Sequence, residues 1–139
     1  MRLHFHPPHK QSGVALLEGL IAILIFSLGI LSLVGMQAVA VKQSTDARYR
    51  TEAALLAERL IGAMWVDNHS TLATNYATGG SAYNNWLADV SDALPKVADN
   101  PPVVDVSAGG DVTITIYWQQ PGDQTSAAMH KYIINAHIE

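Results

Sequence analysis

The feature that most constrains this chain is a largely apolar stretch, residues 19–41, that contains no ionisable residue. As an α-helix rising about 1.5 Å per residue, it would span roughly 35 Å, and the hydrocarbon core of a bilayer is about 30 Å thick. The apolar run extends back to Val14 and is interrupted only by Glu18. The remainder of the 139-residue chain is polar and acidic. The sequence therefore predicts one apolar helix and one small hydrophilic head.

The composition excludes several classes of protein. Only 14% of the residues are charged, against about 25% in an average soluble protein, and 49% are hydrophobic. This balance excludes an acidic disordered tail, and the formal net charge of −4 argues against a nucleic acid partner. Because the chain has no cysteine, it has neither a disulfide scaffold nor a thiolate metal site.

The charges that flank the apolar stretch predict its orientation. Arg2 and Lys10 precede it, and no acidic residue occurs before Glu18. Short positive segments stay in the cytoplasm, so we expect a cytoplasmic N-terminus. A cleaved secretory signal is disfavoured, because its apolar region has about 7–15 residues and ends in a small-residue cleavage site. A plain signal anchor is an alternative that hydropathy leaves open.

Glu18 is the one charged residue inside the apolar run. A carboxylate at the centre of a membrane helix costs about 2.5–3.5 kcal/mol on insertion scales, and less near the edge. Two interpretations follow from this cost. Glu18 either lies among the lipid headgroups in contact with water, or it serves a functional site and pairs with a group of another molecule.

The residues around Glu18 resemble a known signal. A short basic leader ends in Gly13, four mostly apolar residues follow, and Glu18 precedes roughly twenty apolar residues. This pattern is similar to the class III signal of type IV pilins and of the pseudopilins of type II secretion. The resemblance implies that a prepilin peptidase cuts between Gly13 and Val14 and then methylates the new amine of Val14. Major pilins usually carry Phe at that position, so Val14 favours a minor pilin.

The same resemblance gives Glu18 a partner in assembly. After cleavage, the positive amine of Val14 in one subunit would pair with Glu18 of a neighbour as the helices stack with an axial stagger. Independently of the resemblance, Ala15, Gly19 and Ala22 follow at i, i+4 and i+7. This spacing predicts a strip of small residues at which a second helix packs closely.

Beyond residue 42 the helical pattern continues, and no Gly or Pro interrupts residues 37–61. An apolar stripe at helical spacing is formed by Ala53, Leu56, Ala57, Leu60 and Met64. We therefore predict one helix over residues 14–66, whose second half buries this stripe against the rest of the chain. Gly29 and Gly35 leave open whether the helix is kinked or melted there, or uses glycine as membrane helices ordinarily do.

The remaining residues predict a small mixed domain. Residues 67–81 are rich in Asn, Thr, Ser and Gly and are expected to form a loop, and residues 83–94 are expected to form a short helix before Pro95. Strands are predicted at residues 103–106, 112–119 and 131–138, the second by strict apolar–polar alternation. The predicted fold class is α+β, with a long N-terminal α-helix packed on a small C-terminal antiparallel β-sheet. This arrangement matches the ladle shape that the pilin resemblance implies.

Parts of the head resemble the PilV group of minor pilins, also called type IV pilus modification proteins. The shared features are an Ala-rich helix at residues 50–68, Trp86 before Leu94-Pro95, and a strand that ends at Trp118-Gln119. The implied organisation is a leader (1–13), a membrane and assembly half of the helix (14–41), an amphipathic half (42–66) and a periplasmic head (67–139).

The resemblance implies a structural subunit and not an enzyme. Such a minor pilin belongs to the priming or tip complex that initiates pilus assembly, and supports adhesion and twitching motility. The implied partners are the prepilin peptidase and, through the N-terminal helix, the other minor pilins and the major pilin, with a tip adhesin as a further candidate. The implied location is the bacterial inner membrane before assembly, with a periplasmic head, and the pilus tip or fibre afterwards.

Other side chains give weaker indications of chemistry, and no cofactor or metal is expected. A metal site formed by His4, His6 and His9 would lie in the discarded leader, while His69, His130 and His137 lack a metal-binding spacing. Asp89 and Asp92 are interpreted as a solvated surface. The tryptophans are interpreted as core or subunit-contact residues, and they are Trp65, Trp86 and Trp118.

Two alternatives to a type IV minor pilin stay open. A minor pseudopilin of a type II secretion system shares the signal and the head and differs in its partners. A signal-anchored periplasmic binding protein would share the apolar helix alone, and its N-terminus would not be cut after Gly13.

Overall fold

The computed structural model describes residues 12–123 and 129–139. The chain divides into two compact units, Met1–Gln43 and Ser44–Glu139. Its secondary structure is a long N-terminal helix and a small three-stranded antiparallel sheet, and the predicted α+β class is confirmed at this level.

Helix α1 covers Ser12–Val66 without interruption, which confirms the helix predicted over residues 14–66. In the N-terminal unit it is the whole of the described structure, and every side chain described there is exposed. The helix lacks proline, so the backbone hydrogen-bond ladder can run through both units. It ends where Asp67 and Asn68 offer side chains that compete for backbone N–H groups.

In the C-terminal unit, the predicted apolar stripe of α1 is buried. Its five members are between 0% and 6% exposed, and they are Ala53, Leu56, Ala57, Leu60 and Met64. The intervening charged residues Glu58 and Arg59 lie on the exposed side. This amphipathic half supplies one wall of the hydrophobic core.

The loop predicted at residues 67–81 is partly wrong. A 3₁₀ turn, His69–Thr71, and a one-turn helix α2, Leu72–Asn75, occur inside it. The Asn68 side chain caps the turn by accepting a 3.0 Å hydrogen bond from the Ser70 N–H. Leu72 joins the core, and its burial offsets the low helix propensity of its polar neighbours.

Helix α3, Ser81–Ala93, confirms the helix predicted at residues 83–94, with an earlier start. Its buried face carries Tyr83, Trp86 and Val90. The Tyr83 hydroxyl donates a 2.7 Å hydrogen bond to the carbonyl oxygen of Pro102. Burial raises the pKa of Tyr83. A second 3₁₀ turn, Val97–Asp99, follows.

The three predicted strands are confirmed as β1 (Val103–Val106), β2 (Asp111–Trp118) and β3 (His130–His137). They form an antiparallel sheet in the order β1-β2-β3. Alternate residues of β2 point into the core, and the buried ones are Val112, Ile114, Ile116 and Trp118. This period of two is the pattern that predicted the strand.

The turn between β1 and β2 depends on Gly110. Its φ is +86°, and a Cβ there would collide with the carbonyl oxygen of Ile138. The N–H of Ile138 donates a 2.9 Å hydrogen bond to the Gly110 carbonyl, so the end of the chain closes over this turn. Glycine is therefore required at this position for both backbone conformation and space.

The three tryptophans differ in burial. Trp86 and Trp118 are 5% and 0% exposed and belong to the core, as predicted. Trp65 is 51% exposed and is not a core residue, and its subunit contact stays a prediction.

Candidate functional site

The apolar half of α1 is the most unusual surface of the chain. Its large hydrophobic side chains, from Val14 to Val41, are between 46% and 71% exposed. A soluble monomer rarely exposes a contiguous apolar patch of this kind. The helix is long and apolar enough to cross a membrane, a test that a signal sequence also passes. This surface therefore requires a lipid or protein environment that the chain itself does not supply.

Glu18 lies on an open, otherwise apolar face of this helix, together with Val14, Leu17, Ile21, Ala22 and Ile25. Val14 and Glu18, four residues apart, occupy the same side of the helix. Among the described residues, no hydrogen bond or ion pair involves Glu18. In a membrane, this carboxylate would either contact water among the lipid headgroups or pair with a group of another molecule.

The predicted packing strip, Ala15, Gly19 and Ala22, lies on the exposed helix at the expected spacing. A Cβ at Gly19 would meet no described atom within 4 Å, and the same holds at Gly13. No packing within the described chain therefore requires glycine at these positions. An interior glycine costs a helix about 0.5–1 kcal/mol relative to alanine, a cost that close contact with another helix would offset.

The structure bears on one of the interpretations of Gly29 and Gly35. Helix α1 continues through both glycines without a melted turn in this described segment. The two serines nearby bond within the helix: Ser27 donates a 2.7 Å hydrogen bond to the Ile23 carbonyl, and Ser32 a 2.9 Å bond to the Leu28 carbonyl. Their hydroxyl groups are thus satisfied without water, as an apolar environment demands.

In the head, His130 joins three parts of the chain. Its Nδ1 lies 3.2 Å from Oδ1 of Asp46 on α1, and its Nε2 lies 3.3 Å from Oδ2 of Asp123. The imidazole stacks on Trp118, with ring centroids 5.8 Å apart. Gln120 donates a 2.9 Å hydrogen bond to the same Asp46 oxygen. Sequence reasoning missed this cluster, because His130 and Asp46 are far apart in the chain.

The other histidines remain apart from this cluster. His137 Nδ1 lies 2.9 Å from Oδ1 of Asp111, and this hydrogen bond raises the pKa of His137. His69 is exposed on the first 3₁₀ turn. Within the described ranges, no three histidine or acidic side chains converge to hold a metal ion. His4, His6 and His9, at which no metal site is expected, lie outside the described residues.

Asp89 and Asp92 are both exposed on α3, in agreement with a solvated surface. Oδ2 of Asp89 forms a 3.1 Å ion pair with Arg59 of α1. Exposed pairs of this kind contribute about 0.2–1 kcal/mol. This pair therefore adds little to the packing of α3 on α1.

Comparisons with protein-family models, with curated proteins and with solved structures found no match to this chain. The functional interpretation therefore depends on the N-terminal helix and on the position of Glu18 within it.

Proposed function

We propose that this chain is a minor pilin of a type IV pilus, a structural subunit of the priming or tip complex that initiates pilus assembly. The observation that carries the proposal is Glu18. Among the described residues it is an unpaired carboxylate on the open face of an exposed apolar helix, and it follows Gly13 at the spacing of a prepilin cleavage signal.

In this proposal the subunits polymerise through the N-terminal helix. A prepilin peptidase removes residues 1–13 and methylates the amine of Val14. The positive amine then pairs with Glu18 of a neighbouring subunit in a low-dielectric environment. Removing one partner of a buried ion pair costs about 3–5 kcal/mol, because an unpaired charge remains. Such a pair would therefore select the axial stagger between subunits.

The exposed small residues support the same role. Ala15, Gly19 and Ala22 allow another helix backbone to approach, and glycine at position 19 serves no packing within the described chain. We propose that other minor pilins and the major pilin pack here. The amphipathic half of the helix, residues 42–66, and the head, residues 67–139, complete the proposed pilin ladle.

The proposed location follows from the apolar helix and its basic flank. Before assembly the chain spans the bacterial inner membrane once, with residues 14–41 in the bilayer and the N-terminus in the cytoplasm. The head is then periplasmic. After assembly the subunit lies at the tip or in the fibre of the pilus, where a tip adhesin is a proposed partner.

Deletion of the gene in the native host tests the role in assembly. We expect fewer surface pili and reduced twitching, with restoration by the wild-type gene. The subunit should also appear in pili sheared from the wild-type cells. A wild-type number of pili in the deletion strain would contradict the priming role, and a secretion defect with normal pili would identify a type II minor pseudopilin instead.

A further inference from the structure

We propose that the free edge of β3 pairs with β3 of a second copy of this chain, antiparallel and about a two-fold axis at Asn135. The pairing would join two three-stranded sheets into one six-stranded sheet. It concerns the head alone and does not depend on the proposed role in a pilus.

The edge is long and regular. Strand β3 has eight residues, and its register with β2 is continuous from Asp111↔His137 to Trp118↔His130, without a bulge. It contains neither proline nor glycine. Among the residues that the structure describes, no strand lies on its other side. Natural proteins usually protect such an edge, because its unpaired backbone groups are a template for another strand.

The direction of the free backbone groups follows from the ladder. Ile138 donates its N–H to the Gly110 carbonyl, so this pair of residues bonds on the β2 side, while the Gly110 N–H donates to the Ser107 carbonyl. In an antiparallel ladder such pairs alternate with residues whose backbone groups point away. The N–H and C=O groups of four residues therefore face the free edge, and these residues are Lys131, Ile133, Asn135 and His137. Their side chains are exposed on the outer face of the sheet.

The opposite edge of the sheet is closed. On β1, the Val104 N–H donates a 2.9 Å hydrogen bond to Thr78 Oγ1, and the Val104 carbonyl accepts a 3.0 Å bond from the Thr78 N–H. Thr78 thus occupies the backbone groups of β1 that a further strand would use. A head-to-tail contact of β3 with β1 of another copy is blocked. The contact that remains is between β3 of one copy and β3 of a second copy. Such a two-fold contact uses both free edges and gives a closed dimer.

Charge complementarity favours a second copy of this chain as the partner and favours one register of the strand pair. Lys131 lies in β3, and Glu139 follows the strand by two residues, with the same parity as Asn135. Within one chain the Glu139 Oε1 lies 3.5 Å from Nε2 of His137. The bond from the Ile138 N–H to Gly110 carries the ladder past His137, so a pairing extended by one residue reaches Glu139. When Asn135 lies opposite itself, Lys131 lies opposite Glu139 of the second copy, and the two-fold axis repeats this pair. Opposite charges in directly facing positions stabilise a strand pair. A different partner strand would have to supply a matching acid and base, which Lys131 and Glu139 of a second copy provide.

Disulfide trapping in the full-length protein tests the contact. The chain has no cysteine, so Asn135→Cys introduces a single thiol at the proposed axis. Asn135 would face its counterpart in a hydrogen-bonded pair, whose Cβ atoms lie about 5.5 Å apart, whereas a disulfide needs about 3.5–4.5 Å. A small movement of the two edges closes this gap, so the readout is the rate of bond formation relative to a control. Asp105→Cys is the matched control, since Asp105 is exposed on the outer face of the other edge strand.

In lipid bilayers under mild oxidation, we expect Asn135→Cys to form a covalent dimer several-fold faster than Asp105→Cys. Equal rates for the two variants would overturn the proposal. Association through the membrane helix alone would let the β1 edges and the β3 edges of two copies collide at random, and neither cysteine would then react faster. In the Asn135→Cys background, Lys131→Glu should slow the reaction, and adding Glu139→Lys should restore it. Failure of the double exchange to restore the rate would also contradict the pairing.

A backbone variant provides an independent test. Ile133→Pro removes an N–H that faces the free edge and leaves the ladder between β2 and β3 intact. Ile133→Thr is the control, because it keeps the N–H and the β-branched side chain. Both changes are made in the Asn135→Cys background, because the natural chain has no thiol. With near-UV circular dichroism unchanged, the proline variant should lose the covalent dimer and the threonine variant should keep it. Dimer formation by the folded proline variant at the rate of Asn135→Cys alone would refute the proposal.

Discussion

The indole N–H of Trp86 donates a 2.9 Å hydrogen bond to the backbone carbonyl oxygen of Leu56. Trp86 lies on α3 and Leu56 on α1, and both side chains are almost fully buried. A carbonyl has two lone pairs, so this oxygen can accept the indole bond in addition to its helical partner. The bond adds a directional contact to the apolar packing of the two helices.

Replacing Trp86 with Phe is expected to lower the free energy of unfolding of the head by about 1–3 kcal/mol, since it removes this hydrogen bond and part of a buried ring. The control is Trp65→Phe, whose side chain is 51% exposed and should change stability by less than about 0.5 kcal/mol. Urea unfolding followed by near-UV circular dichroism measures both. Similar losses in the two variants would contradict the assigned burial.

Three glycine variants should differ in sign and size. Gly110→Ala combines a positive φ with a collision against Ile138 and should destabilise the head by more than about 2 kcal/mol. Gly122→Ala has a φ of +91° but meets no described atom within 4 Å, so about 1–2 kcal/mol is expected. Gly62→Ala, in the open helical position, should stabilise by about 0.5–1 kcal/mol. Thermal unfolding measures all three variants. A loss for Gly110→Ala no larger than the loss for Gly122→Ala would contradict the turn geometry.

The regular elements could be predicted from the sequence because each carries a periodic signal. The alternation in β2 placed the strand to within one residue of its observed bounds, and the stripe from Ala53 to Met64 named core residues that are all buried. The long helix was predictable because no proline interrupts it. Local periodicity depends only on near neighbours in the chain.

What was missed depends on distant or isolated residues. Leu72 stands alone in a polar stretch, so no periodic pattern reveals that it reaches the core. The contact of His130 with Asp46 joins the last strand to the amphipathic half of α1, which are far apart in the chain. Both Trp65 and Trp86 are interpreted from the sequence as core or subunit-contact residues. In the structure, Trp65 on α1 is exposed and Trp86 on α3 is buried. The roles of Val14 and Glu18 stay predictions, since they involve other molecules.

The stability of the head should depend on pH through His137. The hydrogen bond to Asp111 raises the pKa of His137 above its ordinary value of 6.5. The protonated form is therefore favoured by folding, and its contribution is complete below about pH 6.5 and lost as the pH rises through the folded pKa.

Asp111→Asn removes this carboxylate, so the difference in unfolding midpoint between wild type and variant should shrink as the pH rises from about 6 to about 9. Asp105→Asn, an exposed change on β1, is the control and should show no such trend. The midpoints can be measured by urea titration at each pH. A difference that grows with pH would have the wrong sign for a raised histidine pKa.

Glu18→Gln separates processing from assembly. It keeps the shape of the side chain and removes the charge, so cleavage after Gly13 should continue while recruitment into filaments falls by tenfold or more, the loss of about 1.4 kcal/mol or above. The comparison variant is Glu58→Gln, which is exposed in the amphipathic half of α1. Quantitative immunoblots of membranes measure cleavage after Gly13, and those of sheared pili measure recruitment into filaments. Normal co-purification of the Glu18 variant with other pilins would argue against the ion pair.

The N-terminal residue of the mature protein tests the central claim most directly. Expressed with an active prepilin peptidase, the chain should begin at a methylated Val14 by Edman degradation and intact mass, and it should begin at Met1 when the peptidase is inactive. A chain that keeps residues 1–13 in the presence of the active peptidase would contradict the account.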